Sequence, residues 1–317
     1  MRAFDAVLLI SFGGPQGLED IRPFLANVLR GRRVAPERVE EVAHHYELFG
    51  GVSPITEYTE RQAEGLRQRL AEAGTPLPVY VGMRNWHPYL DDTLAAMSRA
   101  GVRRAIGVIL AAHSSYASSE QYRENVLNAR QALRTQGLAD VEVTYVDGWH
   151  THPDFIAANA AHVRAARAQL PPQVQSQARV VFTAHSIPAA MAAASDYEKQ
   201  LHESARDVAS ASGASDWVVV YQSRSGRPED PWLEPDIGDY LRAARAEGLA
   251  AAVLCPIGFV CDHIEVLYDL DREAAQVAAD LGLAMTRAQT VNDSPRFLDM
   301  LRDVVLKVEN EERRTKN

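Results

Sequence analysis

Short apolar runs alternate along the chain with longer amphipathic or alanine-rich stretches. Seven runs read as strands: AVLLISF (6–12), PVYVGM (78–83), AIGVILAA (105–112), VEVTYVDGW (141–149), RVVFTA (179–184), WVVVYQS (217–223) and AAVLCPIGF (251–259). Several are apolar at successive positions instead of alternating, the pattern of strands covered on both faces. Between them, residues 57–73, 89–100, 119–136, 154–169, 196–212 and 236–247 carry helical patterning. Strand–helix alternation of this kind predicts an α/β fold with parallel sheets built from βαβ units.

Seven strands fit two sheets of about four better than one large sheet. An internal echo, ILAAHSS (109–115) against VFTAHSI (181–187), reads either as a trace of two similar halves or as chance. A polar, proline-containing stretch at 149–153 or 170–178 is the natural crossing between halves. The domains expected are therefore residues 1–150 and 151–289, with a final helix near 290–312 able to pack back onto the first. The 317 residues agree with two domains at ~150 each. Residues 309–317 read as a charged tail.

Composition narrows the function classes. Apolar residues make up 46% and charged residues 24%, which is ordinary for a globular protein that folds without disulfides. Acidic residues outnumber basic ones, 42 to 33, a net charge of −9 that opposes nucleic acid or an anionic membrane. Only Cys255 and Cys261 are present, with no CxxC pair, so a reducing cytoplasm suits the chain. The first apolar run is too short to span a bilayer and lacks the flanks of a signal peptide. A soluble, unprocessed, cytoplasmic protein is expected.

In parallel sheets ligands gather beyond the carboxyl ends of the strands, which directs attention to residues 13–15, 84–87, 113–114, 185–186 and 261–265. No GxGxxG, GxxxxGK[ST] or GxSxG motif occurs there. The segment GFVCDHIEVLYDLDRE (258–273) is the most informative. A helix starting near Cys261 spaces Glu265, Asp269 and Glu273 at i, i+4 and i+8, drifting ~40° per step in a row roughly 12 Å long. Like charges at that spacing oppose their own helix, which points to a divalent cation passing along the row. The alternatives are a solvated acidic face and a capping box formed by Asp262 with Glu265. His185 reads either as a buried turn histidine or as a proton acceptor and metal ligand. His150 and His152 form an HxH pair with no evident third ligand, and His44, His45 and His113 carry no stronger signal. Tyr46, Trp86, Tyr122 and Trp232 are core or rim aromatics, or the walls of a large flat ligand.

The ordered set SFGGP (11–15), HYELFGGVSPI (45–55), GMRNWHPYLDD (82–92), TAHSIP (183–188), DPWLEPD (230–236) and GFVCDHIEVLYDLD (258–271) resembles the ferrochelatase family, which inserts ferrous iron into a porphyrin. The resemblance covers nearly the whole chain and implies two Rossmann-like, chelatase-like domains, each with a four-stranded parallel sheet, and a porphyrin cleft between them. By position in the matched motifs it makes His185 and Glu265 the catalytic pair and metal ligands. It continues the metal row through Asp269 and Glu273, on a helix the family tends to distort. Tyr46, Ser53 and Tyr122 fall where relatives contact the macrocycle or its propionates. Arg30, or its neighbours Arg32 and Arg33, meets the propionates.

Two departures follow from the same resemblance. Some relatives carry a tyrosine able to ligate iron where this chain has Phe12, which can line the porphyrin but not ligate. Others bind a [2Fe–2S] cluster through four cysteines; with two, this chain is expected to have none. No cofactor is required, and Fe²⁺ is a substrate. SFGGP and HYELFGGVSPI are most similar to bacterial members related to the coproporphyrin III-using enzymes, so coproporphyrin III is favoured over protoporphyrin IX in haem biosynthesis. The alternatives are a porphyrin or haem carrier without turnover and a chelatase for another metal–tetrapyrrole pair. A monomer is expected, with porphyrin and ferrous iron as its partners and at most transient contact with other haem-pathway enzymes.

Overall fold

The computed structural model describes residues 3–31, 34–225 and 229–315. Among them are eight strands: β1 (Ala6–Ser11), β2 (Val79–Met83), β3 (Arg104–Ile109), β4 (Glu142–Tyr145), β5 (Ala178–His185), β6 (Trp217–Gln222), β7 (Ala251–Cys255) and β8 (Ala284–Arg287). They form two four-stranded sheets, ordered β2-β1-β3-β4 and β6-β5-β7-β8, and every neighbouring pair is parallel. The chain divides into two compact units: Met1–Leu110, Ser119–Asp147 and Leu298–Asn317 form one, Ala111–Ser118 and Gly148–Phe297 the other.

Burial explains which strands were legible. Every residue of β1 and of β7 is buried, so these strands are apolar except for Ser11 at the end of β1. The eighth strand was not predicted: β8 is an edge strand, half-buried along its length, and its sequence AMTR shows no apolar run. The same reason hides the helix Pro36–Glu47, which buries only Ala43 and Tyr46. The helix Ile21–Val28 was also missed; it is short and carries Pro23.

The echo between 109–115 and 181–187 joins strands that are not equivalent. By sheet order β1 matches β5 and β3 matches β7, so the tail of β3 and the end of β5 occupy different places in their sheets. The repeat of Ala-His-Ser is coincidence, although two four-stranded sheets are indeed present.

In the first unit, helix Ile55–Glu72 buries Ala63, Leu66 and Leu70, and at Gly65 a β-carbon would come within 2.5 Å of the Leu298 side chain. Helix Pro295–Thr315 absorbs most of the charged segment read as a tail. Near its end Glu309, 1% exposed, accepts the backbone N–H groups of Ala3 at 3.0 Å and Phe4 at 3.1 Å.

In the second unit the sheet packs through Val181, Val220, Ala252 and Leu254 against Ile237 and Leu241, and against Val266, Leu270, Ala274 and Ala278. Each such aliphatic burial stabilises by roughly 1.5–3 kcal/mol for the larger side chains. The last four recur strictly every fourth residue, a repeat that drifts ~40° per step on an α-helix. The backbone removes the drift: α-helix over Ile264–Tyr268 gives way to π-helix over Asp269–Ala274, then α-helix returns over Ala275–Asp280. The wider i→i+5 turn keeps the apolar stripe on the sheet.

Candidate active site

The second unit holds the histidine and the acidic residues. His185 ends β5, paired in register with Gln222 at the end of β6. Its Nδ1 faces the Ser186 carbonyl, which can only accept, so Nδ1 carries the proton and Nε2 the lone pair. That Nε2 lies 3.7 Å from Glu265 Oε2, and the Tyr197 hydroxyl donates to the His185 carbonyl at 2.9 Å. Gly258 shapes the approach of the next loop: a β-carbon there would meet Ala184 Cβ at 2.6 Å.

Glu265 is flanked on the same oxygen by a second ring, His263 Nε2 at 3.6 Å. Burial alone would raise the Glu265 carboxyl. The His263 ring beside it, and the charge that either imidazole carries when protonated, outweigh it and hold the group at about 2. Asp269, one helical turn on, has the opposite fate. Burial, together with the charges of Glu265 and Glu273, pushes it up to about 7 against hydrogen bonds from Ser223 and Gln222. Gln222 Nε2 donates to Asp269 Oδ2 at 3.3 Å, and Ser223 donates to the same oxygen from a left-handed backbone, φ 62°. Glu273 is exposed. Among the described residues, no group of three or more His, Cys, Asp or Glu forms a ready-made metal cage.

Asp262 does not form the capping box. His263 occupies the N-cap position and makes no side-chain cap, and the helix begins at Ile264 instead of near Cys261. The Asp262 carboxylate is taken by Arg287 Nη1 at 3.1 Å and Thr290 Oγ1 at 3.0 Å. The same guanidinium grips Asp271 with Nε at 2.6 Å and Nη2 at 2.8 Å. Arg287 therefore braces the acid-bearing segment on both sides of Glu265 and Asp269. Sequence reasoning missed it, along with His263, Gln222 and Ser223. His263 had a signal, since it stands two residues before Glu265 in the matched motif; Arg287 had none.

His152, His150 and His113 take structural roles. His152 caps helix Pro153–Gln169 by accepting from Asp154 N, and His150 Nε2 pairs with Glu203 at 2.9 Å. His113 is fully buried against Ser204 Oγ at 3.0 Å. Cys255 and Cys261 are buried, and burial pushes both thiols well above their ordinary range.

The first unit gathers the residues expected to touch a porphyrin. Phe12 follows β1 and packs edge-on to Phe24, centroids 6.2 Å apart, and Phe24 stands 5.6 Å from Tyr46. Tyr122 joins through Arg84, whose guanidinium lies 6.0 Å from the Phe12 centroid and 5.5 Å from that of Tyr122. The backbone holds Arg84 there, since its N–H donates to the Ser11 carbonyl at 3.0 Å. Ser53 is buried against Gly14, where a β-carbon would come within 2.6 Å of Ser53 Cβ. Arg30 donates to Asn27 Oδ1 at 2.7 Å. Arg32 and Arg33 lie outside the described residues.

Comparison with known proteins agrees with this chemistry. The Ferrochelatase family model matches residues 4–309. The chain is 46% identical to the coproporphyrin III ferrochelatase of Streptomyces griseus over 318 residues, covering 96% of this chain and 85% of that one. It is 48% identical to the ferrochelatase of Rhodopirellula baltica, covering 94% and 84%. In fold it is similar to the sirohydrochlorin chelatase SirB from Bacillus subtilis subspecies spizizenii, solved in complex with cobalt. There the TM-score is 0.57 at 10% identity, with 96% of this chain and 95% of that one covered. By the family match, the identities and the motifs they share, this chain belongs to the ferrochelatase family.

Proposed function

We propose that the protein inserts Fe²⁺ into coproporphyrin III in haem biosynthesis. The observation that carries this reading is the lone-pair nitrogen of His185 facing Glu265 Oε2 at 3.7 Å, at the head of a segment that continues to Asp269 and Glu273. The preference for coproporphyrin III is supported by the Streptomyces relative named for that porphyrin. Several other relatives carry the same name, among them one from Mycolicibacterium smegmatis at 46% identity.

Insertion exchanges ligands without changing oxidation state. Fe²⁺ loses its waters to four porphyrin nitrogens while two pyrrole N–H protons depart. Glu265, ionised at neutral pH, supplies negative charge and an oxygen ligand as waters leave. Asp269 and Glu273 offer oxygen ligands further along the segment. His185 accepts a pyrrole proton on Nε2, because Nδ1 is committed to the Ser186 carbonyl. In the first unit Phe12, Tyr46 and Tyr122 provide apolar surface for the macrocycle, and Ser53 and Arg30 polar contacts for its edge. The two compact units correspond in this reading to the two Rossmann-like domains of the fold, and the protein acts as a cytoplasmic monomer. Among the described residues, no helix is long and apolar enough to cross a membrane.

The test is anaerobic insertion of Fe²⁺ by the purified protein, comparing coproporphyrin III with protoporphyrin IX. Faster insertion into coproporphyrin III, abolished by His185→Ala, is expected. Binding without insertion would replace the enzyme by a carrier.

A further inference from the structure

The first unit contains a polar cavity of about 490 Å³ in which, of the lining residues, only Arg30 has a role in the reading above. Asn27, Arg30, Arg84, Asn85, Gln121 and Asn125 contribute to its lining. Three of these leave polar atoms buried and without a hydrogen-bond partner: Asn85 Nδ2, Gln121 Oε1 and Asn125 Oδ1. Asn85 itself is only 4% exposed. Native proteins leave few buried polar groups unpaired, and three around one cavity mark a place where a polar guest completes the hydrogen bonding.

Charge decides what kind of guest. Arg30 and Arg84 face the cavity against one carboxyl, Asp91. Two guanidinium groups against one carboxylate leave the lining net positive. The lining therefore favours an anion. Arg84 also connects the cavity to the aromatic wall, since its guanidinium lies over the rings of both Phe12 and Tyr122. A flat ligand resting on those rings would bring its edge to Arg84. The volume accommodates a carboxyethyl group with several waters, each taking ~30 Å³ in the liquid.

We propose that this cavity receives one carboxyethyl arm of the tetrapyrrole, its carboxylate held by Arg84 and by Asn85 Nδ2. The inference rests on the porphyrin reading above and extends it, making Arg84 and Asn85 specificity-determining residues. A guanidinium is the side chain suited to grip a carboxylate through two parallel N–H bonds. Gln121 and Asn125 complete the shell through water bridging to the arm.

The test is a ligand-by-mutant cycle read by fluorescence titration. Metal-free coproporphyrin III and its tetramethyl ester, in the same detergent, are titrated into wild type, Arg84→Met and Arg84→Lys. Arg84→Met is expected to weaken binding of the free acid about tenfold or more and to leave the ester within about twofold. Arg84→Lys, which keeps the charge and loses the fork, should fall between. An equal loss for acid and ester, or no loss for either, would overturn the assignment and leave Arg84 a packing residue. Failure of the wild type to bind either porphyrin would overturn the porphyrin reading itself, and this inference with it.

Discussion

Beyond β1 the first sheet is followed by Phe12, with Arg84 lying over its ring, whereas the second sheet ends β5 on His185 facing Glu265. Strand order and direction are the same in both, so the backbone offers the same kind of crevice twice. Side chains alone differ between the two ends. Aromatic faces and guanidinium groups suit a flat ligand edged with carboxylates, while imidazole and carboxylates suit a divalent cation and its protons. Function follows from what is grafted at the strand ends, not from the fold.

The sharpest way to break this division is to disable one end and measure both activities. His185→Ala should reduce insertion by 10²–10⁴-fold, the span of a lost general base, while coproporphyrin III binds within about twofold of wild type. Arg84→Met should do the reverse, raising the porphyrin Kd while leaving turnover of the bound complex nearly unchanged. Were His185→Ala to weaken porphyrin binding as much as it slows insertion, the two ends would not be separate in function.

A second break acts on the segment that carries the acids. Arg287 is 14% exposed in its side chain and joins Asp262 to Asp271. Arg287→Met leaves the buried Asp262 carboxylate without its cation, and removing one partner of a buried pair costs about 3–5 kcal/mol; the exposed Asp271 adds little. Insertion should fall about tenfold with KM for Fe²⁺ raised and porphyrin binding intact, because Glu265 and Asp269 lie between the two braced points. A variant that loses stability but keeps its KM for iron would make Arg287 a structural brace alone.

The two Ala-His-Ser sites sharpen the comparison through pH. Ser204 Oγ donates to the His150 carbonyl at 2.8 Å, so His113 Nε2 must donate to Ser204, leaving Nδ1 buried and unpartnered. Burial and the nearby His150 charge accordingly depress His113 to about 3. In the unfolded chain it titrates near 6.5, so below that pH the unfolded state binds the extra proton. Stability therefore falls as pH drops from 6.5 toward 3, by up to ~1.4 kcal/mol per unit. His113→Asn should remove about 2 kcal/mol of the stability difference between pH 7 and pH 5, read from urea midpoints. An unchanged difference would show that His113 is not held neutral.

How much of this was legible depends on how local the cause is. Strands buried on both faces declared themselves as apolar runs, and β8 did not because its four residues, AMTR, are half-buried throughout and form no such run. The acidic row was visible by spacing, but its straightness comes from the π-turn over Asp269–Ala274. The repeat Val266, Leu270, Ala274, Ala278 held that information, since no α-helix keeps a period of four on one face. Arg287 was illegible as a functional residue, and Arg84 was marked only by its place after a strand, with no role. One reaches Asp262 across 25 positions and Asp271 across 16, and the other acquires meaning only beside two rings distant in sequence. His113 and His185 show the converse error, where like sequence conceals unlike surroundings.

The smallest effect tests whether the ends can be left untouched while the frame is loosened. Glu309 helps close the first unit, holding the N–H groups of Ala3 and Phe4 with its two oxygens and Arg313 Nε at 2.8 Å. In Glu309→Gln one acceptor becomes an NH₂ facing a donor, so a buried N–H loses its partner at a cost of about 1–3 kcal/mol. For a chain of this size that is an apparent Tm lower by roughly 2–4 °C per kcal/mol. Iron insertion and coproporphyrin III binding at 25 °C should stay within about twofold of wild type, because no atom of Glu309 contacts Phe12, Arg84, His185 or Glu265. A large loss of activity at unchanged Tm would tie this end of the first unit to the chemistry and dissolve the separation between frame and site.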